Sequence, residues 1–304
     1  MKEKIVIAGG TGALGTCLIN QYYGSETEVV ILSRTKKATD KNIRYRQWDA
    51  QFLGSWTDEL EGSKAVINLV GKSVNCRYTE ANKKEIIASR VNSTLAIGKA
   101  IRASVNPPEV WINAGSAAIF GNSGDILKKE GDSLGTGFSP GVCKQWEQAF
   151  NRIQTPLTRK VVLRIGMVLQ QGKGVLKPFV NLAKFGLGGK IGSGSQYITW
   201  IHEQDFIQLI EWVIKNDEIS GVLHASSPRP VTNSEFMRSI RQANKVPFGL
   251  PSPPLLTKIG ATLIGTEAEL VLSGRRVVSN ILEEKRFSFR YPEIQNALNQ
   301  LIQL

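Results

Sequence analysis

Short apolar, β-branched runs alternate with longer stretches of helical periodicity through the first half of the chain. The runs Lys4–Ala8, Glu28–Leu32, Ile43–Gln47, Ala65–Leu69, Val110–Ala114 and Val161–Ile165 predict strands. Leu14–Tyr22, Lys83–Ala103 and Val142–Gln154 predict the helices between them. Strand and helix in alternation predict a parallel sheet with helices on both faces. After Gly166 the texture changes. Gly186–Gly194 carries five glycines and Phe248–Pro254 three prolines, so both read as loops. A helix over Glu203–Lys215 and a strand over Gly221–Ala225 are expected to rejoin the first sheet. Helices over Glu267–Gly274 and Glu293–Leu304 are expected in a smaller lobe. The division expected is residues 1–170 as a nucleotide-binding domain, with 200–228 returning to it, and residues 171–304 mainly as a second lobe. The chain carries no internal repeat or low-complexity tract.

The segment Ile5-Val6-Ile7-Ala8-Gly9-Gly10-Thr11-Gly12-Ala13-Leu14-Gly15 runs from strand through a glycine turn into a helix. Gly9 permits a sharp turn. Gly12 lets a pyrophosphate approach the backbone, and Gly15 lets the helix pack closely. The helix start then offers unpaired N–H groups and partial positive charge to phosphates. Strand, turn and helix agree, so Gly9, Thr11, Gly12, Ala13, Leu14 and Gly15 are read as a dinucleotide cradle. The fold class expected is therefore α/β: a Rossmann-type doubly wound parallel sheet with a smaller C-terminal α/β substrate lobe.

The second strand bears on which dinucleotide. It ends at Ser33-Arg34-Thr35, followed by Lys36 and Lys37. A carboxylate here would bind ribose hydroxyls and repel a 2′-phosphate. A guanidinium beside a hydroxyl suits the phosphate instead, so NADP(H) is expected over NAD(H). From the sheet topology, Asp49 is placed to accept from the adenine amino group. Asn68, Leu69 and Gly71 are placed beside the adenosine ribose.

Composition narrows the partners. With 41% hydrophobic and 21% charged residues, the chain is an ordinary globular one. No apolar run is long enough for a spanning helix, so no membrane association is expected. The apolar start is broken by Gly9, which favours strand–turn–helix over a signal peptide. Cys17, Cys76 and Cys143 have no motif spacing, which points to reduced thiols and a cytoplasmic protein. With His202 and His224 as the only histidines, nothing proposes a metal. The net charge of +12 is scattered without interleaved aromatics, so no nucleic-acid partner is expected. A basic surface that attracts anionic cofactors and substrates explains it equally well.

The chain resembles the extended short-chain dehydrogenase/reductases, and within them the branch known as epimerase family proteins, with a C-terminal domain of unknown function. The resemblance rests on Gly9–Gly15, Val66-Ile67-Asn68-Leu69-Val70-Gly71, Ser89-Arg90-Val91, Lys144-x-Trp146-Glu147 and Leu163-Arg164-Ile165-Gly166-Met167-Val168-Leu169. It continues through Gly188-Gly189, Gly192–Gln196, Thr199-Trp200-Ile201-His202 with Asp205, Pro228–Asn233 and Phe287–Pro292. The resemblance implies a serine or threonine that holds the substrate oxygen, a tyrosine acid or base, and a lysine four residues later.

Ser116, after the strand Val110–Ala114, matches the serine, and Lys144 matches the lysine that holds the nicotinamide ribose. The tyrosine position holds Pro140, which has no ionisable group. Ser139, Cys143, Tyr78 and Tyr197 are the candidates left nearby. Arg90 reads either as a contact for an anionic substrate or as a brace for its helix. Gln196, Tyr197, Trp200 and His202 are expected on the substrate side of the cleft, although a histidine in that setting is more often structural. The Gly186–Gln196 loop reads as a lid or as lobe packing, and Arg275 and Arg276 as charge for the same cleft.

Two readings follow. One is an NADP(H)-dependent oxidoreductase or epimerase acting on a small carbonyl or sugar-like substrate, with a homodimer expected from the wider family. The other is a non-catalytic NADP(H)-binding redox-sensing protein that has lost the relay tyrosine. The lid-like loop and Ser116 favour the enzyme.

Overall fold

A computed structural model describes residues 2–35, 37–263 and 265–302. In chain order the first half holds β1 (Lys4–Ala8), α1 (Ala13–Tyr22), β2 (Glu28–Ser33), β3 (Ile43–Gln47), β4 (Ala65–Asn68), α2 (Glu80–Ala103), β5 (Val110–Ser116), β6 (Leu127–Lys128) and α3 (Phe138–Arg152). There follow β7 (Arg159–Ile165), β8 (Met167–Leu169), α4 (Leu176–Lys184), β9 (Tyr197–Ile198), β10 (Trp200–His202), α5 (Glu203–Lys215) and β11 (Gly221–Ala225). The chain closes with β12 (Val231–Thr232), α6 (Asn233–Ala243), α7 (Pro254–Leu263), α8 (Glu269–Leu272), β13 (Arg276–Val277), α9 (Asn280–Glu284) and α10 (Ile294–Ile302).

Seven strands form one sheet in the order β11-β7-β5-β4-β1-β2-β3, and every neighbouring pair is parallel. Because successive side chains point to opposite faces, the apolar strands supply two cores. Ile7, Ile31, Ile67 and Ile112 lie in register on one face. They pack with Leu18 of α1 and Phe206, Leu209 and Ile210 of α5. Val6, Val30, Val66 and Trp111 occupy the other face with Ile97 and Ile101 of α2 and Phe150 of α3. The strand order reverses between β1 and β4, the switch point where such sheets leave a crevice at their carboxyl ends.

Helix boundaries moved for identifiable reasons. The Thr79 hydroxyl accepts from Asn82 N at 3.2 Å, so α2 starts earlier than its apolar pattern. Helix α3 starts at Phe138 rather than Val142 because Pro140 falls in its first turn, where a missing N–H costs nothing. Helices α4, α6 and α7 were not expected. The signal for α6 was present, since Thr232 and Glu235 have capping-box spacing and Thr232 Oγ1 accepts from Glu235 N at 3.3 Å. Residues from α4, α6 and α10 surround Trp200 in a further core. The helix expected over Glu267–Gly274 shortens to α8. Of Glu293–Leu304, Ile294–Ile302 is helical, and Gln303 and Leu304 lie outside the described residues. Among the described residues no helix is long and apolar enough to cross a membrane.

Candidate functional site

The turn between β1 and α1 stands at the switch point. Gly9 has φ +80°, and a Cβ there would lie 2.9 Å from the Leu69 carbonyl carbon. Only glycine accepts both the dihedral and the approach. Gly12 N donates to Gly9 O at 3.0 Å, which closes the turn. Thr11, Gly12 and Ala13 are exposed. No side chain caps α1, and its first turn holds no acid. Its leading amides are therefore free for an anion, and the dipole favours one. Gly15 meets the turn itself rather than the sheet, because a Cβ there would overlap Gly10 Cα and stand 2.6 Å from Gly9 O.

At the end of β2, Ser33 is buried and its Oγ accepts from Thr35 N at 3.3 Å. Arg34 is exposed, and its guanidinium has no partner among the described residues. It borders a cleft of about 820 Å3 with Lys37, Arg46, Asp49 and Trp56. Lys36, expected beside it, lies outside the described residues.

Several expected cofactor contacts are placed differently. Asp49 Oδ1 accepts from both Gln51 N and Phe52 N at 2.8 Å, which pulls its pKa down. That oxygen holds its own loop rather than awaiting adenine. Asn68 is fully buried. Its Nδ2 donates to Asn113 Oδ1 at 2.7 Å and its Oδ1 accepts from Val70 N at 3.2 Å. It therefore faces inward to a network with Thr94, which accepts from Trp146 Nε1 at 3.0 Å. Leu69 serves through its backbone, against Gly9. Gly71 makes room for Arg90, whose guanidinium carbon would be 3.0 Å from a Cβ there.

A second cleft, about 420 Å3, begins at Ala13 and Leu14 and passes Ser116, Ala117, Gly166 and Met167 to Gln196, Tyr197 and Arg275. It joins the glycine turn to the carboxyl ends of β5 and β7. Ser116 Oγ accepts from Ala118 N at 3.2 Å, so its hydroxyl proton stays free for an oxygen in the cleft. Pro140 is buried at the start of α3. Lys144 is exposed on α3 and lies outside the lining of this cleft. Burial pushes the Cys143 thiol up to about 12, with Glu147 adding to the rise and Arg90 opposing it. Cys143 is thus a neutral thiol and no base. Met167, Asn233 and Ser273 also line the cleft. Only the Leu163–Leu169 and Pro228–Asn233 motifs hinted at the first two.

Among the second-lobe residues, Gln196 and Tyr197 line the cleft. Gln196 Nε2 donates to Ile191 O at 2.8 Å and Val271 O at 3.1 Å, so it ties loops together. The expected substrate positions of Trp200 and His202 need correction, because β10 turns both side chains inward. Trp200 Nε1 donates to Arg229 O at 2.9 Å within an apolar core. His202 Nδ1 accepts from Gln204 N at 3.0 Å, which caps α5, and Nε2 meets Gln300 Oε1 at 2.8 Å. Burial lowers its pKa, so the ring stays neutral with Nε2 as donor. The glycine loop is tied down rather than free as a lid. Leu250 N donates to Gly186 O, Gly189 N to Leu250 O and Gly192 N to Ser252 O, and Asn233 Oδ1 accepts from Ile191 N.

Residues 5–143 match the NAD dependent epimerase/dehydratase family, and residues 256–301 match a domain of unknown function (DUF1731). Epimerase family protein YfhF of Bacillus subtilis (strain 168) is 31% identical over 301 residues, which cover 98% of each chain. Epimerase family protein SA0724 of Staphylococcus aureus (strain N315) is 29% identical over 99% of each. Among solved structures, human epimerase family protein SDR39U1 (isoform 2) with NADPH superimposes with a TM-score of 0.85 at 28% identity, covering 99% of both chains. The nucleoside-diphosphate sugar epimerase from Corynebacterium glutamicum shares the fold, with a TM-score of 0.78 at 24% identity over 99% of this chain and 58% of that one.

Proposed function

Since the chain belongs to the NAD dependent epimerase/dehydratase family, we propose that it is an NADP(H)-dependent oxidoreductase or epimerase acting on a small carbonyl or sugar-like substrate. The observation that carries this reading is the continuous cleft from the uncapped start of α1 to Ser116. The residues present fit the cofactor. Gly9 and Gly15 leave a cradle without Cβ atoms, the leading amides of α1 take the diphosphate, and Arg34 takes the 2′-phosphate. The human relative bears NADPH in its solved structure, which supports the same choice here. NADP(H) supplies or accepts the hydride.

The chain's own residues do the rest. Ser116, held by the Ala118 amide, donates its proton in a hydrogen bond to the substrate oxygen and so fixes that oxygen at the end of β5. Pro140 supplies no proton, and Cys143 holds its own. Water or a hydroxyl from outside the usual relay position completes the transfer. Ser116→Ala is expected to lower turnover by about 10-fold or more while NADPH affinity stays constant, the pattern of a group that acts only on the reacting atom.

Arg34→Ala is expected to weaken NADPH binding about 10- to 100-fold, the worth of a charged hydrogen bond, and to leave NADH unchanged. Fluorescence titration with both cofactors measures this, and equal losses would refute the phosphate assignment. Pro140 and the exposed Lys144 favour a second reading, a non-catalytic NADP(H)-binding redox sensor. NADPH fluorescence in a panel of carbonyl compounds separates the two. Tight binding with no oxidation across the panel supports the sensor.

A further inference from the structure

Helix α7 is packed inside out. Among its described side chains Thr257 is the buried one, and its hydroxyl meets Ser252 Oγ at 2.9 Å and Pro253 O at 3.1 Å. Leu255, Leu256 and Ile259 stand in solvent instead, with Leu255 69% exposed. An ordinary surface helix does the reverse and buries its apolar stripe. The neighbouring segments repeat the pattern. Phe185, just after α4, is 81% exposed, and Phe248, before α7, is 64% exposed. Leu187 and Leu250 are exposed beside them.

Backbone hydrogen bonds hold these segments side by side. Leu250 N donates to Gly186 O at 2.8 Å and Gly189 N to Leu250 O at 3.1 Å. A Cβ on Gly186 would lie 3.6 Å from Phe248 Cε2. Ser252 N donates to Lys190 O at 2.9 Å, and Thr257 ties the first turn of α7 back to Ser252. Exposed apolar residues gathered in this way mark a surface that something covers.

The charges around it select the partner. Residues 172–202 and 242–266 contain no aspartate or glutamate. Lys184, Lys190, Lys245 and Lys258 are exposed among the apolar positions and form no ion pair among the described residues. Arg241, on the adjoining α6, is already engaged by Gly188 O at 2.6 Å. Protein interfaces favour arginine and avoid lysine, and a second copy meeting this one through the same face would set lysine against lysine. A nucleic-acid backbone would give the leucines nothing apolar to enter. Anionic headgroups above an acyl layer suit both sets, since lysines reach the headgroups while the apolar tips sink below them. We propose that the end of α4, the glycine and proline loops and α7 form a docking face for an anionic lipid membrane. Helix α7, with ten residues, is too short to cross and lies along the interface. No spanning run betrays such a face in the sequence, because its apolar residues come from separate segments. The face shares no residue with the glycine cradle, so membrane binding and NADPH binding are separate properties.

The test is co-sedimentation of the full chain with vesicles of phosphatidylcholine alone and of equal parts phosphatidylcholine and phosphatidylglycerol. The wild type is expected to bind the mixed vesicles at least about 10-fold more tightly than the neutral ones, a preference that high salt removes. Phe185→Ser combined with Leu256→Ser is expected to weaken that binding about 10-fold or more. Lys184→Gln combined with Lys258→Gln is expected to weaken it about 10- to 30-fold. All four side chains are exposed, so melting temperature and NADPH affinity are expected to match the wild type in both variants. Leu157→Ser, at an exposed leucine before β7, is the control and is expected to change nothing. No binding to the mixed vesicles would overturn the face, as would equal binding to neutral ones or binding that both double variants retain. A dimer that sedimentation shows Phe185→Ser with Leu256→Ser to split, without any vesicle binding, would overturn it too and give the face to a second copy.

Discussion

Glu147→Ala is expected to lower the stability of the fold by about 3–5 kcal/mol, the range for removing one partner of a buried ion pair. The carboxylate receives Arg164 Nε at 2.8 Å and Nη2 at 2.9 Å, and the two side chains are 11% and 5% exposed. Arg164 Nη1 donates to Glu130 O at 3.1 Å, so the guanidinium cannot swing out to water without giving up that bond as well. Truncating Glu147 strands a cation in the interior. Replacing both, as Glu147→Met with Arg164→Leu, is expected to restore most of the loss, because two apolar side chains need no partner. Urea unfolding of the single and double variants measures both effects. A single variant within about 1 kcal/mol of wild type would mean that the guanidinium finds water, and that the pair is worth no more than a surface one. The same change should reach the site. The pair joins α3 to β7 beside Gly115, whose Cβ position lies 3.5 Å from Glu147 Oε1, immediately before Ser116.

The second large effect is expected at Gly15. Gly15→Ala should weaken NADPH binding by at least about 100-fold, more than one charged hydrogen bond supplies. The added methyl would overlap Gly10 Cα and stand 2.6 Å from Gly9 O. Both are backbone, so no side chain can turn aside. The turn cannot retreat either, since Gly9 rests against the Leu69 carbonyl, with 2.9 Å left to a Cβ. The start of α1 must therefore lift off the turn and carry its amides away from the diphosphate. Gly260→Ala is the control, because open space surrounds that glycine in α7. Fluorescence titration of NADPH reads both. An affinity for Gly15→Ala within about 10-fold of wild type, or about 1.4 kcal/mol, would show that α1 does not hold the phosphates.

Much of this architecture was legible beforehand, and particular segments show why. Residues 4–8 and 28–32 read as strands because a pleated strand sandwiched between helix layers needs apolar residues on both faces, and that need is written locally. The glycine turn was legible for a similar reason, since a positive φ and a close backbone approach each select one residue type at one position. Helices α4, α6 and α7 escaped notice. The first is short, the second hides its capping box behind a polar face, and the third follows a cluster of prolines that reads as loop.

Local pattern determined which elements form, how they alternate and where the glycine turn lies. Each of these depends on residues a few positions apart. Tertiary structure decided where the polar side chains point. It turned Asn68 inward to Asn113, gave Asp49 to its own loop, left Lys144 outside the cleft, and enclosed His202 against Gln300. A polar group at a strand or helix end takes whichever partner the packed layers bring within hydrogen-bond reach. In this protein those partners lie on other elements, far along the chain.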